Sequence, residues 1–216
     1  MANSKTKTAT GRGGRVGREQ SLFPMFVKLE GRPCLVVGAG RIAESKIPSL
    51  LEAGAKVLVV APEANPTITE WASSGRITWE QRSFQSADLN GKFLVIAATS
   101  LRDLNAAVFH EARQRNILCN AVDDPDHCDF YYPAVVRRGA LQLSISTAGL
   151  SPALAQRIRC ELEEQFGPEY AAWLQQLGQV REELFAREID PEQRRQLLHR
   201  LASRESFAAA VKGGTQ

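Results

Sequence analysis

CLVVGAGRIA, residues 34–43, runs four apolar residues into a glycine-spaced turn and then into the opening of a helical pattern. The apolar run is continuous rather than alternating, which suits a parallel strand buried on both faces. In the turn, Gly38 permits the sharp reversal, Gly40 lets the backbone come close to a pyrophosphate, and small Ala43 allows the helix to pack on the strand. Arg41 and Ile42 complete the turn, and the amides at the start of the helix face a diphosphate. The same glycines could serve an ordinary turn. The strand before them and the amphipathic helix after them point to a dinucleotide site.

The pattern continues outward on both sides of this turn. Ile42, Ala43, Ile47, Leu50, Leu51 and Ala53 recur at helical spacing and stop at Gly54. Lys56–Ala61 reads as a second buried strand ended by Pro62, Ile68–Ser73 as a helix, and Ile77–Trp79 as a strand. Phe93–Ala98, Leu104–Arg115 and Ile117–Val122 then read as strand, helix and strand. Strands alternating with helices imply right-handed crossovers and a doubly wound parallel sheet. From Phe130 the grammar changes to two β-rich runs joined by Arg137-Arg138-Gly139, a hairpin without an intervening helix. Ser151-Pro152 opens a helix through Phe166 with Ala155, Ile158, Leu162 and Phe166 on one face. Two more helices, Glu169–Arg187 and Glu192–Arg204, follow. The reading is an α/β chain: a disordered basic tail over 1–21, a Rossmann-like domain over 22–125, a strand-rich region over 126–150, to which the resemblance given below assigns dimerisation, a helical module over 151–205 and a flexible end over 206–216.

No apolar run in the 216 residues approaches the roughly 20 needed to span a bilayer. A membrane role is not expected. The formal charge is +3, but Lys5, Lys7, Arg12, Arg15 and Arg18 against Glu19 put +4 in the first twenty residues, leaving −1 on the rest (+3 less +4). The body therefore lacks the positive field of a nucleic-acid-binding surface. The tail has no apolar core of a secretory leader. Its Ser/Thr-rich and GRGGR character loosely imitates a transit peptide or an RNA-binding tail, and a solvated extension is the plain reading. Cys34, Cys119, Cys128 and Cys160 form no CxxC pair, so reduced thiols in a cytoplasm are expected.

The acid that binds ribose hydroxyls at the end of the second strand is replaced by Ala61, and Glu63, after Pro62, reads equally as its substitute or as a solvent-exposed turn residue. No Arg or Lys follows Val60 to clamp a 2′-phosphate, which favours NAD over NADP. The second chemical cluster is NAVDDPDHCDF, residues 120–130, where four carboxylates crowd the end of a strand. Ligands of open parallel sheets bind beyond the carboxyl ends of the strands, so this cluster faces the cofactor. Crowded carboxylates raise one another's pKa, and a partly buried one could exchange protons near neutrality. An Asx-rich surface turn is the alternative. Asp123, Asp126, His127 and Asp129 are too nearly adjacent to share one coordination sphere, and no permanent metal is expected. His110 and His199 read as surface residues.

The order PMFVKLEGRPCLVVGAGRIAESK, LLEAGAKVLVVAPE, FLVIAAT, CNAVDDPDHCDFYYPAVV and LSISTAGLSPALAQRIR resembles the precorrin-2 dehydrogenase family, which also forms the N-terminal region of siroheme synthases. The similarity spans roughly Leu22–Gly167. It implies a Rossmann domain, a homodimer built through swapped strands, and a helical module. Chemically it implies NAD-dependent oxidation of precorrin-2 to sirohydrochlorin, and in some members insertion of ferrous iron, which meets the macrocycle transiently. Asp123 matches the family's catalytic aspartate. Thr99 joins Gly38, Gly40, Arg41, Ile42, Ala43, Pro62 and Glu63 on the cofactor side. The polycarboxylate tetrapyrrole is assigned Asn120, Arg137, Arg138, Ser146, Thr147, Ser151 and Arg157. Two positions depart from the pattern: Ser45 stands where an arginine is common, and Ala148 where a second glycine is common. With no methyltransferase region after the helical segment, a stand-alone dehydrogenase is expected. The alternatives are a non-catalytic NAD-sensing regulatory module and a dehydrogenase for an unrelated small molecule.

Overall fold

The computed structural model describes residues 21–213. The basic tail expected over 1–21 falls, but for Ser21, outside the described residues. Five strands, β1 (Pro33–Val37), β2 (Lys56–Val60), β3 (Thr78–Glu80), β4 (Leu94–Ala97) and β5 (Leu118–Ala121), form one parallel sheet in the order β3-β2-β1-β4-β5. Helices α1 (Arg41–Glu52), α2 (Pro66–Ser73) and α3 (Arg102–Gln114) cover it. The chain reverses its direction of travel across the sheet between β1 and β4, and crevices form at such a reversal.

The apolar run of β1 is continuous because both faces are covered. Cys34 and Val36 pack with Ile47 and Leu50 of α1 and Ile68 of α2, whereas Leu35 and Val37 pack with Val108, Phe109 and Ala112 of α3. These four residues of β1 are at most 1% exposed, and burying each large one is worth roughly 1.5–3 kcal/mol. Ile42, in helical register with this core, instead points outward from the first turn of α1 and is exposed.

Beyond β5 the chain folds back and covers the sheet's open edge. Cys128 pairs with Asn120 in an isolated antiparallel bridge. Asp129 N–H donates to Cys119 O at 2.8 Å, and Cys119 N–H donates to the Asp129 carboxylate at 3.0 Å. An otherwise unpaired edge is thereby closed with its own chain.

β6 (Ala134–Arg138) and β7 (Leu141–Ile145) form the expected antiparallel hairpin, with Arg138 opposite Leu141. Its turn is Gly139-Ala140, so both arginines sit in the strand rather than the loop. The helical module is α4 (Pro152–Gln165), α5 (Glu169–Ala186), α6 (Pro191–Leu201) and α7 (Arg204–Gly213). Ser151 caps α4 as expected, its hydroxyl accepting from Leu154 N–H at 3.2 Å. The end of the chain differs from expectation. The last leucine-rich helix stops at Leu201, and residues 204–213, read as largely flexible, form α7. Ser203 Oγ accepts from Ser206 N–H at 3.2 Å to start the new helix, and the Phe207 ring lies 4.2 Å from Tyr170 and 4.9 Å from Trp173 between centroids. One aromatic anchor makes the difference between a fraying end and a docked helix. No helix among the described residues is long and apolar enough to cross a membrane.

Between β3 and β4 a half-buried ion pair fixes the crossover. Arg82 grips Asp88 with both ends of its guanidinium, at 2.9 and 2.6 Å, and also contacts Glu80. Asp88 accepts from Gln85 N–H at 2.8 Å as well. The Arg82 guanidinium holds the Asp88 carboxyl below its usual range. A carboxyl depressed in the folded state stabilises fully above the unfolded pKa of roughly 3.9, and that contribution is lost as pH falls through the lower folded value. Asp88→Asn is therefore expected to lose about 1–2 kcal/mol near neutrality. The deficit should shrink as pH falls from about 4, where the unfolded chain protonates first, through the lower folded value. Urea midpoints measured across that range check it; a deficit independent of pH would mean the ion pair is not its source.

Candidate active site

The parallel register brings the carboxyl ends of four strands to one edge. Val37 of β1 lies opposite Ala97 of β4, Ala97 opposite Ala121 of β5, and Val37 opposite Val60 of β2. The ladder continues one step further through Ala98 N–H to Val37 O at 2.8 Å, Val122 N–H to Ala97 O at 2.9 Å and Gly38 N–H to Val60 O at 2.9 Å. The glycine turn after β1 and the acidic turn after β5 thus emerge from the same edge, two strands or about 10 Å apart.

The glycine turn is built against the end of β4. Gly38 has φ +102, and a Cβ there would lie 2.6 Å from Ala98 O and 2.8 Å from Ala98 C. Gly40, the N-cap of α1, is the opposite case: a Cβ there would meet nothing within 4 Å. It offers no side chain to the first-turn amides, and Glu44 N–H begins the helix ladder on Gly40 O at 3.0 Å. Open space above uncapped amides at a helix start is what a diphosphate needs. Arg41 and Ile42 are exposed there, while Ala43 is fully buried against the sheet.

Three asparagines hold the edge, and two of them escaped the sequence reading. Asn65 N–H donates to Ala39 O at 3.1 Å, its amide donates to Glu44 at 2.5 Å, and its Oδ1 caps α2 by accepting from Ile68 N–H at 2.9 Å. Asn65-Pro66 was a readable N-cap and N1 pair, and recognising it would have started the helix there rather than at Ile68. Asn105, 5% exposed on the apolar face of α3, accepts from Thr99 N–H at 3.1 Å and from its hydroxyl at 2.7 Å, and donates to Thr99 O at 3.0 Å. Thr99, expected on the cofactor side, spends its hydroxyl and backbone N–H on Asn105 and shapes the β4 loop. The signal was an asparagine at a core-facing helix position. Pro62 and Glu63 follow β2 exposed on the same edge.

Asn120, 7% exposed, turns its amide nitrogen inward to Phe130 O at 2.7 Å and Cys128 Sγ at 3.3 Å. The expected substrate contact is thus, on its donor side, a clamp on the fold-back segment. Asp123 stands at the tip of the turn, exposed, with φ +61. Left-handed backbone at a non-glycine residue costs on the order of 1 kcal/mol. The four carboxylates are not one crowded group: Asp124 pairs with His127 at 2.8 Å, and Asp129 is turned to Cys119 N–H. No three His, Cys, Asp or Glu side chains among the described residues gather as a cation site.

The basic candidates for substrate carboxylates separate. Arg137 reaches Glu52 at 3.7 Å, at the C-terminal end of α1. That end lies about 18 Å along the helix from the glycine turn. Arg138 donates to Phe166 O at 2.7 Å and Glu163 O at 3.1 Å, closing the C-terminus of α4. Arg137 is thus partnered at the end of α1 and Arg138 at the end of α4. Arg157 is exposed on the second turn of α4 and pairs with Glu161 at 3.4 Å. Ser146, Thr147 and Ser151 gather in the turn before α4: Ser146 Oγ accepts from Ala148 N–H at 3.1 Å, and Thr147 Oγ1 accepts from Ser151 N–H at 3.2 Å.

Ala148 in that turn has φ +50, which gives the departure from the family pattern a physical meaning. Ala148→Gly removes a left-handed alanine and is expected to stabilise the protein by about 1 kcal/mol. That corresponds to roughly 2–4 °C in Tm for a chain of this size, readable by calorimetry; an unchanged or lower Tm would mean the turn does not hold that backbone. At the second departure, Ser45 bonds back to Ile42 O at 2.7 Å, and the neighbouring Lys46 ammonium sits 4.4 Å from the centre of the Tyr132 ring.

A family model of NAD(P)-binding domains matches residues 25–134, the whole of the sheet and its two edge turns. The chain belongs to this NAD(P)-binding family. A second model, the central region of sirohaem biosynthesis proteins, matches residues 138–165, the end of the hairpin and α4. The chain is 38% identical over 192 residues to siroheme synthase 3 of Aeromonas hydrophila, covering 89% of this chain and 41% of that protein. It is 41% identical over 192 residues to the siroheme synthase of Photorhabdus laumondii, with the same coverage of 89% and 41%. The chain therefore spans about two fifths of the length of these curated relatives. The solved structure of SirC, precorrin-2 dehydrogenase, superposes with a TM-score of 0.76 at 29% identity, covering 88% of this chain and 94% of that one. The resemblance read from the motifs holds across both segments. As a family member the Rossmann-like domain takes a nicotinamide cofactor, and the open amide cluster above Gly40 fits its diphosphate.

Proposed function

We propose that this chain oxidises precorrin-2 to sirohydrochlorin with NAD as hydride acceptor and Asp123 as the base. The observation that carries the reading is the shared edge, where an open helix N-terminus and an exposed carboxylate emerge about 10 Å apart. The printed names of the relatives, siroheme synthase and precorrin-2 dehydrogenase, supply the substrate.

Held at the amides of Arg41, Ile42 and Ala43, a nicotinamide cofactor would supply the hydride acceptor for the oxidation. The chain's own residues do the rest. The amides of Arg41, Ile42 and Ala43 orient the diphosphate, and the carboxylate of Asp123 accepts the proton that leaves the macrocycle as the new double bond forms. The carboxylates of the substrate are assigned to Arg157 and to the hydroxyls of Ser146, Thr147 and Ser151 in the turn that opens α4. NAD is favoured over NADP on two grounds. Glu63 follows β2 where a 2′-phosphate would be repelled, and Arg82 is already neutralised by Asp88 and Glu80.

A homodimer belongs to the same reading. Exposed Phe23, Phe26 and Leu150 leave apolar surface to cover. The test is anaerobic incubation of the purified chain with NAD and enzymatically made precorrin-2. Sirohydrochlorin and NADH should appear in equal amounts. Binding of NAD without either product would favour the non-catalytic regulatory module.

A further inference from the structure

Asp123 is held in a left-handed conformation by something other than its own side chain, and the fold-back segment supplies it. The Cys128 thiol lies 3.2 Å from Ala121 O and 3.2 Å from Asp124 O, the carbonyls on either side of Asp123. From behind, the buried Asn120 amide donates to the sulfur at 3.3 Å and to Phe130 O at 2.7 Å. The turn is further tied by Asp124 N–H to Ala121 O at 3.2 Å and His127 N–H to Asp124 O at 3.0 Å. A strained residue persists only where its surroundings over-determine it. Here one S–H proton, on a sulfur fixed by a buried amide, is shared between the two carbonyls of the strained turn.

We infer that Cys128, backed by Asn120, is a positioning residue that fixes the backbone of Asp123 and so aims its carboxylate. The inference rests on the reading of Asp123 as the base. Burial raises the pKa of the Cys128 thiol, outweighing an opposing hydrogen bond at Ala121, and the charges of Asp124 and Asp129 add to the rise, so it keeps the proton it donates. A donor is required, not a nucleophile: Cys128→Ser retains the hydrogen-bonding capacity, whereas Cys128→Ala removes it.

The experiment measures precorrin-2 turnover, NAD affinity and thermal melting for Cys128→Ala, Cys128→Ser, Asp123→Asn and the Cys128→Ala/Asp123→Asn double variant. Cys128→Ala is expected to lower kcat by about tenfold or more through misplacement of the base, with NAD affinity unchanged. Cys128→Ser should recover to within about threefold. In the Asp123→Asn background the same truncation should cost almost nothing further, because residues acting through one group are non-additive. Should Cys128→Ala fail to melt cooperatively, Cys128→Val fills the space without a donor and carries the same expectation. Unchanged kcat in the donor-free variant, or an equal loss with and without Asp123, overturns the positioning role while leaving the base intact. Full turnover by Asp123→Asn overturns the base itself, and the positioning role with it.

Discussion

Gly38→Ala is expected to abolish dinucleotide binding and to destabilise the domain by about 3–5 kcal/mol. Two independent costs combine. The backbone there has φ +102, which disfavours any side chain, and the added Cβ would stand 2.6 Å from the carbonyl oxygen of Ala98. That oxygen belongs to the backbone at the end of a buried strand, whose next N–H is already committed to Asn105. It cannot swing aside as a flexible side chain would. Relief must come from opening the glycine turn, which displaces the amides at the start of α1. Gly40→Ala is the informative companion, because its Cβ meets no protein atom within 4 Å. It should fold with near-normal stability yet bind the cofactor poorly, since the open space it fills is where the diphosphate would lie. Denaturation midpoints and NAD titration on the two variants separate the roles; equal stability loss in both would contradict this division.

Asp123→Asn is expected to lose turnover by about 10²–10⁴ while retaining NAD affinity. Asparagine has nearly the same shape and tolerates left-handed backbone as well as aspartate does, so the turn at φ +61 is preserved and only the proton acceptor is removed. The carboxylate is exposed at the end of β5 and is not part of the internal ties of its neighbours, since Asp124 pairs with His127 and Asp129 with Cys119 N–H. Loss of structure therefore should not accompany loss of activity. Kinetics with a matched NAD titration check this, and an equal fall in NAD affinity and turnover would assign Asp123 to binding instead.

The parts of this molecule legible in its sequence are those with local causes. The run from Cys34 to Val37 announces a strand buried on both faces, and the glycine spacing after it announces the turn, because steric demands at Gly38 and Gly40 act within a few residues. Ser151-Pro152 marks the start of α4 for the same reason. What could not be read locally depends on chain returning from a distance. Arg137 and Arg138 looked like free cations for an acidic substrate until the hairpin carried them to Glu52 and to the carbonyls of Glu163 and Phe166. The partners of the Asn120 amide nitrogen, Phe130 O and Cys128 Sγ, come from residues 128–130 folding back along β5. α7 was missed because its stability comes from Phe207 reaching Tyr170, nearly forty residues earlier in the chain.

The central claim is that the cofactor's reactive ring lies beside the turn after β5, and a crystal structure of the NAD complex tests it most directly. The account predicts the diphosphate on the amides of residues 41–43 and the nicotinamide ring extended across β4 to within a few ångströms of the Asp123 carboxylate. A nicotinamide directed towards β3, with Asp123 facing bulk solvent and no room for a macrocycle between them, would contradict it.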